Sequence, residues 1–288
     1  MAAVVVVGSA NVDQVFRVTA IPAPGETVMS NGMSTARGGK GQNQVVAAAR
    51  AGASAAFIAA VGDDAFGAST RAGLASDAVD TALLRTVDSP TGTALIAVDD
   101  SGENTIIVEA GANAALVGLT DADAVAIAEA SVLVMQLEIP LETVTAAAVH
   151  ARSAGTTVVL NAAPIRDLPV ELLAAVDVLV VNEHEATHLA RGRDIATLAP
   201  VVIVTLGAAG ARLHNAGRET VAAAPRVLAV DATGAGDTFC GVLAALLAEG
   251  APLEAAMRHA VAAASLSVQS AGAVPSIPWR AAINAALT

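Results

Sequence analysis

Tyrosine is missing from this 288-residue chain, which holds only one tryptophan and four phenylalanines. Single-stranded nucleic acid is gripped by stacking bases on aromatic rings, and the platforms for that are too few here. Basic residues are scarce as well: 15 Lys and Arg face 27 Asp and Glu, for a net charge of −12. No electropositive footprint for a polyanion can be assembled, so nucleic acid is excluded as the main partner. The single cysteine, Cys240, rules out a disulfide framework and any zinc site built on several thiolates; it reads as a small buried hydrophobe. The N-terminal apolar run Ala3–Val7 lacks the basic flank and the length of a signal peptide. The longest uncharged stretch, 259–279, is broken by Ser267, Gln269, Ser270, Gly272 and Pro275 and does not read as a membrane span. The expectation is a soluble, cytoplasmic protein.

What is abundant is core. Hydrophobic residues make up 55% of the chain and charged ones 15%. Runs that read as buried strands are Ala3–Val7, Ala56–Val61, Val132–Leu137, Thr157–Leu160, Val178–Val181 and Val201–Thr205. Ala-rich segments of helical period lie between them, among them Gln42–Arg50, Ala65–Ala75, Leu141–Arg152 and Leu168–Ala174. Strand alternating with helix predicts an α/β fold, a doubly wound, mainly parallel sheet flanked by helices. Residues 11–35 and 88–109 break the pattern with polar/apolar alternation and turn signals. They read as antiparallel strands forming a small inserted β-sheet, a lid over a cleft. Residues 1–288 are thus expected to form a single α/β domain carrying that lid, mostly helical from Ala229 onward.

Ligands of open α/β sheets bind beyond the carboxyl ends of the strands. The polar residues that end the apolar runs are Asn11 and Asp13, Glu138, Asn161, Asn182, and Thr205 with Gly207. Asn11 and Asp13 are two apart, so an extended segment points both to one face. A carboxylate beside an amide suits a polyhydroxylated ligand.

Three local motifs stand out. Asp231-Ala-Thr-Gly-Ala-Gly-Asp237 follows the strand-like run 226–230 and opens a long apolar helix. Its glycines let successive N–H groups face an anion, and Asp237 could take a proton from an attacking hydroxyl or simply cap the helix. Arg37-Gly-Gly-Lys40-Gly-Gln-Asn43-Gln contains the only lysine of the chain, flanked by glycines. It is not a Walker A loop, because Gly41 follows the lysine. Residues His184, Glu185 and His188 formally match the H-E-x-x-H pattern of zinc hydrolases, while the same stretch also reads Asn182-Glu-His-Glu185.

With Gly8-Ser-Ala-Asn11-Val-Asp13, Pro24-Gly-Glu-Thr, Thr91-Gly-Thr-Ala-Leu-Ile, Glu109-Ala-Gly-Ala-Asn, Met135-Gln-Leu-Glu138, Thr205-Leu-Gly207 and Pro275-Ser-Ile-Pro-Trp279, the set resembles the PfkB-type carbohydrate kinase family over nearly the whole length. Gly-Gly-Lys-Gly with Asn43, and Met-Gln-Leu-Glu138, resemble its ribose-phosphorylating branch more than its adenosine or ketodeoxygluconate kinases. The resemblance implies ATP-dependent phosphorylation of D-ribose at the 5-hydroxyl. It implies Asp237 as catalytic base, with Gly234, Ala235 and Gly236 as the anion hole. The sugar hydroxyls would be held by Asn11, Asp13, Gly39, Lys40, Asn43 and Glu138. Asn182 and Glu185 would govern Mg2+ and phosphate, Glu185 through water, while Thr205 and Gly207 would lie along the nucleotide. A monovalent cation, K+, would sit near Asp231, Thr233, Ser267, Ser270, Gly272 and Ser276. A homodimer through the lid sheet is expected, since a small sheet with open edges invites association. Two departures from the family pattern stand out: the stretch from Asn182 to Thr205 is about a dozen residues short of the resemblance, and Ala232 stands where Thr is common.

Overall fold

The computed structural model describes residues 3–287. Thirteen strands run through them: β1 (Val4–Val7), β2 (Asn11–Arg17), β3 (Gly32–Gly38), β4 (Ala55–Gly62), β5 (Leu84–Val87), β6 (Gly92–Val98), β7 (Asn104–Glu109), β8 (Val132–Met135), β9 (Thr157–Asn161), β10 (Val178–Asn182), β11 (Val201–Thr205), β12 (Ala211–Asn215) and β13 (Arg218–Ala222). The helices are α1 (Lys40–Arg50), α2 (Ala65–Ser76), α3 (Asp121–Glu129), α4 (Leu141–Ala154), α5 (Val170–Ala175), α6 (Glu183–Ala190), α7 (Ala235–Ala248), α8 (Leu253–Ser267), α9 (Ala273–Ser276) and α10 (Arg280–Ala285).

Nine strands make one sheet in the order β13-β12-β11-β10-β9-β8-β1-β4-β5, parallel except where β12 pairs antiparallel with β11 and with β13. The continuous apolar runs follow from this arrangement, because a strand covered on both faces has no solvent side. Val4 and Val6 of β1 pack into the core beneath α1, α7, α8 and α10, whereas Val5 and Val7 enter the core beneath α3, α4 and α5. Each of the six expected buried strands and four expected helices of the α/β body is present, with ends moved by up to two residues; the expected helix from Leu168 begins at Val170, after Pro169.

Two expectations need correction. The lid is not purely antiparallel. Its order is β3-β2-β6-β7, and the two hairpins meet along a parallel pairing of β2 with β6, Asn11 opposite Gly92. The run 226–230 forms no strand: Leu228 is 85% exposed, and the N–H groups of Val230 and Asp231 share a single carbonyl, that of Val268. Apolar content alone does not make a strand when no neighbour supplies a ladder.

The edge hairpin β12–β13 carried little signal. Its turn, Ala216-Gly217, takes φ of 49° and 74°, as a two-residue hairpin turn requires. Alanine stands where Asn or Asp would have announced it. Among the described residues, no helix is long and apolar enough to cross a membrane.

Candidate active site

The strand order reverses between β1 and β8: β4 and β5 lie to one side of the pair, and β9, β10 and β11 to the other. A crevice opens beyond the carboxyl ends of strands at such a point. Glu138 follows β8, and its Oε2 accepts the Ser9 hydroxyl at 2.5 Å and the Lys40 backbone N–H at 3.0 Å. One oxygen is thereby fixed, and the other takes no bond from the described residues. Asn11 opens β2 after the turn that leaves β1. Its Oδ1 accepts Asn113 Nδ2 at 2.7 Å, and Asn113 Oδ1 in turn accepts the Ala10 N–H at 2.8 Å. Asn113 therefore locks the Asn11 amide so that its own NH2 is left for a ligand oxygen.

Asp13 lies two residues on, on the same face. Burial, the Glu138 charge and the Asp237 charge push its carboxyl up to about 6. Lys40 opens α1 behind its cap, Gly39. The Asp237 charge holds the Lys40 ammonium above its ordinary value against the cost of burial, with Glu138 and Glu185 adding to it. Asn43, one turn along, is buried, and its Oδ1, itself buried, takes no bond from the described residues.

Asp237 stands in the first turn of α7. The cap of that helix is Gly234, at φ 74°, a left-handed conformation that glycine adopts without strain; its backbone lies against Ala273. The Gly234, Ala235 and Gly236 amides lead into the helix, and the Ala235 N–H donates to the Ala232 carbonyl at 3.2 Å. The Asp237 carboxylate does not cap. Its Oδ1 accepts Gln44 Nε2 and its Oδ2 accepts Asn43 Nδ2, both at 2.9 Å. Burial raises its pKa, opposed by the Lys40 charge and those two amides. A fixed, desolvated carboxylate beside a glycine turn at a helix N-terminus is equipped to remove a proton while negative charge gathers at the amides.

The match to known proteins is extensive. The model of the pfkB family carbohydrate kinases fits residues 1–280. The chain belongs to the PfkB family. It is 39% identical to a ribokinase of Haemophilus influenzae over 96% of this chain and 95% of that one. A ribokinase of Schizosaccharomyces pombe is 38% identical over 96% of this chain and 94% of its own. The structure of Arabidopsis thaliana ribokinase complexed with ribose and ATP superimposes with a TM-score of 0.94 at 33% identity, covering 100% of this chain and 99% of the other.

The residues expected along the nucleotide lie at the ends of β10 and β11. Asn182 caps α6 through a reciprocal pair: Asn182 Oδ1 accepts the Glu185 N–H, and Glu185 Oε2 accepts the Asn182 N–H, both at 2.8 Å. Burial raises the Glu185 carboxyl, against the Asn182 N–H and the Lys40 charge. Thr205, opposite Asn182 in the ladder, donates its hydroxyl to the Val181 carbonyl at 3.3 Å, and Gly207 begins a 3-10 turn. Between α6 and β11 there is only a short 3-10 turn, Ile195–Thr197.

Around the glycine loop, Asp231 accepts the Thr233 N–H at 2.9 Å and the Gly272 N–H at 2.8 Å, tying the loop to the segment after α8. Ser267 and Ser276 spend their hydroxyl protons on the Ala264 and Ala273 carbonyls, and Ser270 lies exposed past the end of α8. Their oxygens retain lone pairs.

The zinc reading fails. Glu185 is committed to the Asn182 N–H, and His188 Nε2 lies 3.1 Å from Asp167 on the surface. No cluster of three His, Cys, Asp or Glu among the described residues could hold a metal. Sequence reasoning left Ser9, Gln44, Asn113 and Gln136 without roles, although each lies inside a motif it had singled out. Asn161 was noted only as a strand end; its Oδ1 accepts from Gln44 at 3.2 Å.

Proposed function

We propose that this kinase transfers the γ-phosphoryl group of ATP to the 5-hydroxyl of D-ribose, giving ribose 5-phosphate and ADP. The observation that carries the reading is the convergence of Asn11, Asp13, Asn43 and Glu138 with Lys40 around the Asp237 carboxylate at one switch point. Three carboxylates and two amides offer acceptors and donors to several hydroxyls of one small sugar. Such a site rejects analogues that leave its buried polar groups unpaired far better than an apolar pocket would.

In this reading Asp237 removes the hydroxyl proton. The Gly234 and Gly236 amides would face the charge that develops on the transferring group, joined by that of Ala235 on leaving the Ala232 carbonyl, and Lys40 adds a fixed positive charge. The ribokinases at 38–39% identity and the fold shared with the ribose- and ATP-bound plant enzyme support both substrates. Thr205 and Gly207 would line the nucleotide. Glu185 Oε1 takes no bond from the described residues, and the side chain would hold Mg2+ through water; that ion supplies neutralisation of phosphate charge when bound. The hard oxygens of Asp231, Thr233, Ser267, Ser270, Gly272 and Ser276 suit K+. The chain 1–288 would act as one catalytic unit, paired with a second copy through its lid, and dependence on ATP fits a cytoplasmic enzyme.

The test is ADP release across ribose, 2-deoxyribose, hexoses and adenosine, run on the wild type and Asp237→Asn. Ribose is expected to give the highest kcat/KM. The variant is expected to fold and bind both substrates while kcat falls by roughly two to four decades. A higher kcat/KM for adenosine or a hexose overturns the substrate; an active Asp237→Asn overturns the base.

A further inference from the structure

We infer that Gln44 is a positioning residue for Asp237, its amide turned donor-side to the carboxylate by Gln136. The inference rests on Asp237 being the base. The geometry is a buried chain of amides behind the reacting carboxylate. Gln136 Nε2 donates to Gln44 Oε1 at 2.6 Å, and Gln44 Nε2 donates to Asp237 Oδ1 at 2.9 Å and to Asn161 Oδ1 at 3.2 Å. Gln44 and Gln136 are fully buried and Asn161 nearly so.

A carboxamide has two ends, and either can face a carboxylate only if the rest of the site permits it. Here one donor of Gln136 occupies the oxygen end of Gln44, and the two N–H bonds of Gln44 are both used. Turning the amide over would set its oxygen against Asp237 and its NH2 against the NH2 of Gln136, leaving three polar groups in conflict without water. The chain therefore has one favourable direction.

Packing holds it in register. The α7 backbone comes so close to α1 that a Cβ at Gly241 would sit 2.3 Å from the Gln44 carbonyl oxygen. With Asn43 on Oδ2 and Gln44 on Oδ1, the carboxylate cannot rotate about its own axis, and each oxygen keeps one lone pair. A base in one orientation is in place before the hydroxyl arrives.

Five ionisable groups face Asp237 from the elements around it: Lys40 on α1, Asp13 on β2, Glu138 after β8, Glu185 on α6 and Cys240 on α7 itself. None of them is removed by changing Gln44, so its loss is read separately from theirs. A donor taken from an ionised carboxylate favours the protonated form.

The experiment measures kcat against pH with ribose and ATP saturating, so that Asp13 is engaged with the sugar. Gln44→Met fills similar volume without a donor. It is expected to move the acid limb of kcat upward by about one pH unit, with the KM for ribose nearly unchanged. Gln136→Met leaves Gln44 in place but frees its amide to turn, and is expected to shift the limb the same way by less. It also serves as the test should Gln44→Met fail to fold. A limb unmoved in the folded variants, whatever their melting temperatures, reduces the chain to packing and overturns the inference. Asp237→Asn is run beside them: wild-type turnover there removes the base assignment itself, a failure distinct from that of Gln44.

Discussion

Asp13 is held where a carboxylate is uncomfortable. Burial and two neighbouring carboxylates raise its pKa to about 6, above its ordinary 3.8. The folded chain thus binds this proton more tightly than the unfolded one. The stability linked to it is complete below pH 3.8 and is lost as the pH rises through about 6. Asp13→Asn keeps the shape and removes the charge. At pH 8 the variant is expected to be more stable than the wild type by about 1–2 kcal/mol, because each pH unit between the two values is worth about 1.4 kcal/mol and water screens part of it. The advantage vanishes near pH 3.8, and ribose phosphorylation suffers throughout. Chemical denaturation of both proteins at the two pH values checks this; equal stability at pH 8 contradicts it. Residues of this kind were legible in the sequence, since Asn11, Asp13, Lys40, Glu138 and Asp237 carry the polar chemistry themselves. Their partners were not. An amide such as Gln44 or Asn113 acquires a role only from what tertiary packing sets against it, and local spacing holds no trace of that.

At the scale of the element, the glycine turn before α7 is held from outside. Asp231 ties it to Gly272, and Ala273 of α9 touches Gly234, so the segment after α8 acts as a backstop for the loop proposed as the anion hole. A monovalent cation on the oxygens of this junction would stiffen amides that must already point at the developing charge. Potassium is therefore expected to raise kcat severalfold over tetramethylammonium at equal ionic strength, with little change in the KM for ribose. Equal rates in the two salts contradict it. The parallel strands and the helix opening at Lys40 could be read from the sequence because burial on both faces writes itself as unbroken apolar runs. The hairpin β12–β13 could not, its turn lacking the usual asparagine. The run 226–230 misled for the opposite reason: it is apolar, yet it lies open beside a helix terminus.

For the whole molecule, the lid is the exposed apolar surface that needs explanation. Met33, Leu95, Ile106, Ile107 and Val108 are each more than 40% exposed, and β3 and β7 are open edges of a four-stranded sheet. A sheet this small is marginal alone, and a second copy laid against it would cover one face. Light scattering is expected to report a dimer at micromolar concentration, and Ile107→Lys, together with Met33→Lys, a monomer. A monomeric wild type contradicts the pairing. The existence of a lid could be read from the alternation in residues 11–35 and 88–109, but its central pairing could not, because strand direction across a junction is set by tertiary assembly.

That junction has a consequence for how the fold holds together. Asn11 meets Gly92 only after the chain has built α1, β4, α2 and β5 between them. The lid these strands form is a small sheet with exposed apolar residues, and segments with few buried contacts are the first to open. Asp13 and Asn11 sit on the lid strand β2, while Glu138 and Asp237 rise from the core sheet and its covering helix. The pocket proposed for the sugar is therefore split between a wall fixed in the core and a wall on the lid, and a sugar bridging the two would act as a clasp across that seam.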